Sequence, residues 1–566
     1  MLRFIPNDLT GRIFANCWAK WLIGAILLIA LVLRVRAVSF GLPAMNDPDE
    51  LIFELGAVKM LREGTLNPGW FGHPATTTLY LLAAIDVAVF AVGHALGWFP
   101  TVQAFGDAIY QDPIWVVLPS RTAMALFGVW CVFLTDRLGE RLFDRRVGLV
   151  AAALLAISPI HISYSQIVRS DVMATAFLLL MLLASLDFLR TGKWKSVLTA
   201  ALWFGFATTT KWPFAACAIS FAAAALYRFW TGKDRLADTM RRLAGFGCAG
   251  IVAILLISPY LALDYKTALQ SVMGEAQVRH VGATGQGALW NAGWYLRGPL
   301  LHALGWPGLA LSAIGGVIAA RKREPALLFF PLIAVLVAVT LPQNLIWARW
   351  ILPLLPLLTI LAAAAFAAAM ERSCMLPPLT RRTVTVALYA ATFTPLLLAA
   401  NSDAAERMND TRQAASHWAD THLQPGSSVM VEHFGFDLLS RPWEFYFPLA
   451  DAGCVNARQM LHGKVQYAAV EAVRGGHHNV DYGTLTPAMR PTCNVQYAIF
   501  SQYDRYMAEA SMFPREVASY RELMARSHLI ATIRPQPGVM GGPTIRIVRI
   551  DSPYQVPQAR GRNGGL

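Results

Sequence analysis

The sequence predicts a polytopic α-helical membrane protein that ends in a soluble α/β domain, and three observations carry that reading. Of its 566 residues 55% are hydrophobic and only 15% charged, where soluble domains average about 25% charged residues; the mean hydropathy is +0.44. Apolar runs near the roughly 20 residues that cross a bilayer recur along the first 400 positions. Lys and Arg collect in the loops between those runs, and the last stretch, 401–566, turns polar without a run long enough to span.

In chain order the runs lie near 21–40, 115–136, 147–163, 172–190, 196–211, 212–230, 244–263, 299–320, 325–341, 350–370 and 383–400. Arg3, Arg12 and Lys20 set the amino end in the cytoplasm under the positive-inside rule. Five further basic loops follow, at Arg137–Arg146, Arg190–Lys195, Lys233–Arg242, Arg321–Arg323 and Arg372–Arg382. All five face the cytoplasm only if one more apolar run, 79–98, does not cross. That run carries Asp86 and His94 and reads as a helix lying on the outer face. About eleven spans result, in a membrane domain over 1–400 whose outer loop 41–114 holds interfacial helices, with 401–566 outside.

The net charge of +13 belongs mostly to loops facing anionic headgroups, so no nucleic-acid partner is implied. The first apolar run is long and lacks a small-residue cleavage site, and is expected to stay as an anchor. On this topology Cys454 and Cys493 alone among the seven cysteines lie on the oxidising side, and they are expected to be bonded; the alternative is two small buried apolar residues.

Within 401–566, alternating apolar residues predict strands at Ser428–Glu432, Val495–Ser501, His528–Arg534 and Thr544–Arg549, with helices near 404–422 and 505–526. The tail 556–566 is expected to be disordered.

The chemistry gathers at one level of the membrane. Asn46-Asp47-Pro48-Asp49-Glu50 places three acids after the first span. A capping box explains part of it, with Asp47 as N-cap, Pro48 at N1 and Glu50 at N3 of a helix that stops at Gly64. Asp49 then sits near the positive helix end, stays ionised and accepts a proton. The Gly72-His73-Pro74 turn, His161, Tyr164, Arg169, Asp171, Lys211 and Arg349 fall on the same face, as do Arg34 and Arg36. Singly each has a structural explanation: Lys211 and Arg349 snorkel, Asp171 caps a span, His73 is a loop histidine. Together they bring acids and cations from distant loops to one face, a costly arrangement unless something charged binds there. No phosphate-binding loop, dinucleotide fingerprint, H-E-x-x-H zinc motif or G-x-S-x-G elbow occurs, so an energised donor comes from elsewhere.

These residues resemble the polyprenyl-phosphate-sugar-dependent glycosyltransferases of the GT-C superfamily, the group of protein O-mannosyltransferases and lipid A aminoarabinose transferases. The likeness rests on Pro48-Asp49-Glu50, on Gly72-His73-Pro74 before Leu79-Tyr80-Leu81, on Ser158-Pro159 through Arg169-Ser170-Asp171, on Thr210-Lys211 after Gly205, and on Arg349-Trp350-Ile351-Leu352-Pro353-Leu354-Leu355-Pro356. Ala415-Ser416-His417-Trp418-Ala419 followed by Pro425-Gly426-Ser427 looks like the start of the outer domain of bacterial members.

The resemblance implies a GT-C fold and an inverting enzyme of the bacterial cytoplasmic membrane, its C-terminal domain periplasmic. Such an enzyme moves a sugar from a polyprenyl-phosphate donor to an envelope acceptor: lipid A, polysaccharide, another lipid or a protein hydroxyl. It implies Asp49 as catalytic base, with Glu50 orienting it or the acceptor. His73, Arg169, Asp171, Lys211 and Arg349 would be the substrate-binding set, the cations on the lipid phosphate. No cofactor is required and no metal ligand is expected, although members acting on pyrophosphate lipids use a divalent ion. The competing reading is a transporter or lipid flippase, against which stand the lack of a visible repeat and the clustering of charge at the outer ends.

Overall fold

The computed structural model describes residues 8–72, 75–274, 278–432, 441–461, 469–470, 473 and 480–552. The chain forms two compact units, Met1–Val38 with Asp49–Ala404, and Ser39–Pro48 with Ala405–Leu566. The first unit is helical. It opens with α1 (Asp8–Val35), α2 (Pro48–Glu63), α3 (Thr76–Ala95), α4 (Val102–Gln111), α5 (Ile114–Leu142), α6 (Arg145–Ala156) and α7 (Pro159–Ser165). Then come α8 (Ser170–Thr191), α9 (Trp194–Thr210), α10 (Ala218–Trp230), α11 (Leu236–Ile257), α12 (Tyr260–Leu263) and α13 (Tyr265–Gly274). The series ends with α14 (Ala288–Tyr295), α15 (Leu301–Ala320), α16 (Arg323–Thr340), α17 (Leu355–Ser373) and α18 (Pro378–Met408).

Among the described residues ten helices are long and apolar enough to cross a membrane, or eleven if the pair α6 and α7, bent by 64°, is one span. The number agrees with the sequence reading; its membership differs. The helix over Thr76–Ala95 qualifies, with 20 residues and mean hydropathy 1.7, where a surface helix was expected. No Lys or Arg interrupts α3, so length and apolarity alone suffice for a crossing. Conversely α9 has only 17 residues.

The core of this unit is built around α8, nearly all of whose side chains are buried. Its neighbours α5, α9, α10 and α16, with α6 and α17 packed behind α5, supply Leu, Ala and Phe to one continuous cluster. Small residues permit the closest approach. A Cβ added to Gly315 on α15 would stand 1.8 Å from the Leu361 carbonyl on α17, so only glycine fits that crossing, as at other tight membrane helix contacts. Helices that bury their backbones this closely hold the ends of α8, α9 and α17 at fixed positions, and those ends carry the site.

The second unit contains a six-stranded sheet in the order β3-β2-β1-β4-β6-β5. Its strands are β1 (Ser428–Val431), β2 (Glu444–Pro448), β3 (Cys454–Asn456), β4 (Tyr497–Phe500), β5 (Ser527–Ile533) and β6 (Ile545–Ile550). The central pairs β1/β2 and β1/β4 are parallel and the outer three antiparallel. Four strands fall where alternation placed them. The edge pair β2 and β3 was not anticipated, because Glu444–Pro448 is a five-residue aromatic run closed by proline and Cys454–Asn456 has only three residues. Each expected helix is interrupted. Asp410 caps a new helix, α19 (Thr411–His422), by accepting from the Arg412 amide, and Pro514 restarts a second one at Pro514–Ala525. Cys454 and Cys493 form a disulfide, with 5.0 Å between their α-carbons, fastening the β3 edge. The tail 556–566 lies outside the described residues.

Candidate active site at the helix ends

Asp49 lies in the first turn of α2, and Gly64, at φ +62°, stops that helix where expected. Glu50, however, does not close a capping box. It is fully buried, and its carboxylate accepts hydrogen bonds from Arg121 Nε (2.8 Å), Arg121 NH2 (2.6 Å) and the Val168 amide (2.9 Å). The reason is the buried guanidinium of Arg121 on α5, which would be unpaired without an acid. Glu50, expected as a catalytic residue that orients Asp49 or the acceptor, has its carboxylate committed to Arg121 and to the amide of Val168 in the turn before α8.

That turn is held at a second point, where Gln166 donates to the Arg34 carbonyl at 3.0 Å. It delivers Arg169 as N-cap residue of α8, with extended backbone. The Arg169 guanidinium stands 2.5 Å from the Asp49 carboxylate. Asp171, in the first turn of α8, is paired with Lys211 Nζ. Lys211 follows the last turn of α9 in extended conformation, ahead of a short 3-10 turn over Trp212–Cys217. Arg349 comes from another 3-10 turn, Ala348–Ile351, that precedes α17.

Arg349 interacts electrostatically with Arg169, Asp171, Asp49 and Tyr164, and Asp171 with Lys211, Arg349 and Arg169. The five predicted residues Asp49, Arg169, Asp171, Lys211 and Arg349 are thus one electrostatic group, three cations against two carboxylates, at the positive end of the α8 dipole. All but Asp49 are nearly enclosed; the Asp49 side chain keeps 31% of its surface open. The Arg349 guanidinium stacks on the Trp347 ring at 4.3 Å. It forms no ion pair or side-chain hydrogen bond among the described residues, and its buried Nε lacks a partner.

His73 lies outside the described residues. Its neighbours on either side are held next to Lys211 in the chain: the Phe71 carbonyl accepts from Trp212 Nε1 at 3.1 Å, and the Thr77 and Thr210 hydroxyls are 2.5 Å apart. Sequence reasoning missed Arg121, although one arginine within the apolar run 115–136 was a signal, since a charge at that depth needs a partner. Arg34 and His161 were noted only as outer-face residues. They form a buried anchor, with Arg34 NH2 2.7 Å from His161 Nδ1 and NH1 donating to the Ala30 and Ala156 carbonyls. Among the described residues no group of three or more His, Cys, Asp or Glu side chains is placed to hold a metal ion.

A family model for dolichyl-phosphate-mannose-protein mannosyltransferases matches residues 98–262, a part that carries Arg121, Arg169, Asp171 and Lys211 and leaves out Asp49 and Arg349. No curated protein matches the sequence. Among solved structures the chain is similar to ArnT from Cupriavidus metallidurans bound to undecaprenyl phosphate, with a TM-score of 0.52 and 15% identity over 95% of this chain and 99% of that one. It is also similar to the oligosaccharyltransferase AglB from Archaeoglobus fulgidus in complex with an inhibitory peptide and a dolichol-phosphate. There the TM-score is 0.50 and the identity 12%, over 96% of this chain and 75% of that one. The likeness to these solved structures over nearly the whole chain, with the helical first unit and the sheet-bearing second unit, shows that the chain has the GT-C fold.

Proposed function

We propose that the protein transfers a sugar from a polyprenyl-phosphate donor to a hydroxyl of an envelope acceptor, with inversion at the anomeric carbon. The observation that carries this reading is Arg349, a buried guanidinium with no hydrogen-bonded partner for its side chain among the described residues, in one electrostatic group with Lys211 and Arg169. Burying such a charge is costly unless an anion meets it, and a lipid phosphate supplies one. Arg349 and Lys211 hold the phosphate and stabilise the charge that grows on it as the bond from anomeric carbon to phosphate oxygen breaks. Asp49, partly open beside the enclosed cations, takes the proton of the acceptor hydroxyl as its oxygen bonds to the anomeric carbon from the opposite side. Arg169 orients Asp49 through their ion pair; Asp171 orients Lys211.

On this reading the reaction takes place at the outer face of a bacterial cytoplasmic membrane, with 401–566 on that side. Two relatives whose structures hold polyprenyl phosphates favour transfer over transport. The test is incubation of purified protein in lipid with radiolabelled polyprenyl-phosphate sugars and envelope fractions. Label moving to a glycolipid, polysaccharide or protein supports the reading, and donor carried across the bilayer without transfer replaces it with transport.

A further inference from the structure

Arg34, in the last turn of α1, is fully buried, and its side-chain partners among the described residues are all neutral. Nε donates to the Ser165 hydroxyl at 3.3 Å, NH1 to the carbonyls of Ala30 and Ala156 at 3.0 Å each, and NH2 to the Leu155 carbonyl at 3.3 Å. NH2 also lies 2.7 Å from His161 Nδ1. A guanidinium only donates, so Nδ1 is the acceptor. A buried cation with no acid beside it is costly at the end of a membrane span, and its acceptors show what it does there.

They lie on both sides of one break. α6 ends at Ala156 and α7 begins at Pro159, at an angle of 64°. Pro159 has no N–H for the Leu155 carbonyl four residues back, and the Ser158 amide reaches that carbonyl only at 3.4 Å. Arg34 supplies donors to Leu155 and Ala156, where the α6 dipole is negative, and grips His161 and Ser165 of α7 with the rest of the same plane. An ammonium, with three donors on one atom, does not span such a set. Gly128 on α5 leaves the room: a Cβ there would stand 2.8 Å from Arg34 Nε and closer still to the Ser165 hydroxyl. The main chain of Arg34 continues the hold, since Gln166, just after α7, donates to its carbonyl at 3.0 Å. Three residues further on, Arg169 meets Asp49 at 2.5 Å.

We propose that Arg34 is a positioning residue for the transfer: by clamping the break between α6 and α7 it sets the turn that carries Arg169, and through Arg169 the carboxylate of Asp49. Fully buried, it acts through Arg169 and not on the substrates. The proposal rests on the reading of Asp49 as base. Lys211 and Arg349, which hold the donor phosphate on that reading, come from the end of α9 and the turn before α17, so the clamp governs turnover more than donor binding.

The test compares the full chain with its Arg34→Met and Arg34→Lys variants, purified in lipid. Sites that bind radiolabelled polyprenyl phosphate are counted, so that kcat refers to folded, donor-binding protein. Arg34→Met should lower kcat per site by about 10- to 100-fold, as small misplacements of reacting groups do, with Kd for polyprenyl phosphate within about twofold of the wild type. Arg34→Lys, which keeps a cation at the end of α6 with fewer donors, should recover part of the loss. Hydrogen exchange with mass spectrometry reads the clamp apart from the chemistry, and the amides of 157–169 should exchange faster in Arg34→Met. Fewer binding sites with unchanged kcat at each would make Arg34 a folding residue only and overturn the proposal, as would a loss of donor affinity that accounts for the whole fall in rate. Should Arg34→Met fail to fold, His161→Leu removes one acceptor, leaves the guanidinium on its carbonyls, and should show the same pattern with a smaller loss. A wild type that transfers no sugar is a failure of the functional reading instead; exchange at 157–169 then still decides on the clamp, and unchanged exchange overturns it.

Discussion

Asp49 and Arg169 meet at 2.5 Å from positions 120 residues apart in the chain, one in the first turn of α2 and the other at the cap of α8. The pair joins the acid read as the base to the helix whose positive end faces the cations. Asp49→Asn keeps the side-chain volume and a hydrogen bond to Arg169 while it removes the proton acceptor. Transfer should fall by about 100-fold or more, with the unfolding temperature in detergent close to that of the wild type. Turnover near the wild-type rate would remove Asp49 from the role of base.

Arg349 and Lys211 should act on the donor. Arg349→Met leaves a stem that still packs on Trp347, and Lys211→Met leaves Asp171 without its partner, so the first variant is the cleaner one. Steady-state assays with varied polyprenyl-phosphate sugar should show a loss of about 1.5–3 kcal/mol in kcat/KM for Arg349→Met, the range for a charge-assisted hydrogen bond, at unchanged acceptor KM. Unchanged donor dependence would instead make Arg349 an interfacial anchor stacked on its tryptophan.

How far this site was legible follows from what each residue advertises. Asp49, Arg169, Asp171, Lys211 and Arg349 are charges where apolar runs end, and the positive-inside pattern brings those ends to one face before any fold is known. Arg121 and Glu50 were harder, because pairing is a property of space: Glu50 stands at N3 of a helix, where a capping box is the local explanation, and a partner 71 positions away outcompetes it. The strands β2 and β3 were missed for a related reason. They are short and become strands by pairing with β1 and with each other, so their own periodicity is too brief to read.

Glu50 and Arg121 should behave as a structural pair. Glu50→Gln leaves a buried guanidinium facing a neutral amide, a change that costs about 3–5 kcal/mol in comparable buried pairs. The thermal midpoint should drop well below that of Asp49→Asn, and activity should fall with it. A Glu50→Gln protein as stable as the wild type but inactive would return Glu50 to the reaction itself.

The crossing of α3 decides the topology. In a background that keeps only Cys454 and Cys493, single cysteines placed at Ser196 and Lys322 should label from the cytoplasm, and at Ala283 and Ser501 from the outside, if Thr76–Ala95 does not cross. Its 20 apolar residues permit the opposite. Labelling of the Ser196 position from outside would mean that α3 crosses and would separate Asp49 from Asp171 by the membrane, which their shared electrostatic group contradicts. We therefore expect α3 to remain on one side or to be balanced by another segment that turns back.

The disulfide fastens the second unit at its sheet edge. Cys454 opens β3, which among the described residues pairs with β2 alone, and its amide donates to the Thr492 hydroxyl at 2.8 Å, next to Cys493. The bond closes a segment of 39 residues, and a loop of that length contributes at most about 4 kcal/mol by restricting the unfolded chain. Replacing both cysteines by serine should lower the unfolding temperature of this unit. The β2 and β3 edge should exchange its amide protons first, because β1, β4 and β6 stay paired without it. Hydrogen exchange with mass spectrometry separates the two outcomes. Faster exchange confined to 444–456 and 490–495 confirms the bond as an edge fastener, whereas uniform exchange across all six strands would make it a condition for the whole sheet to fold.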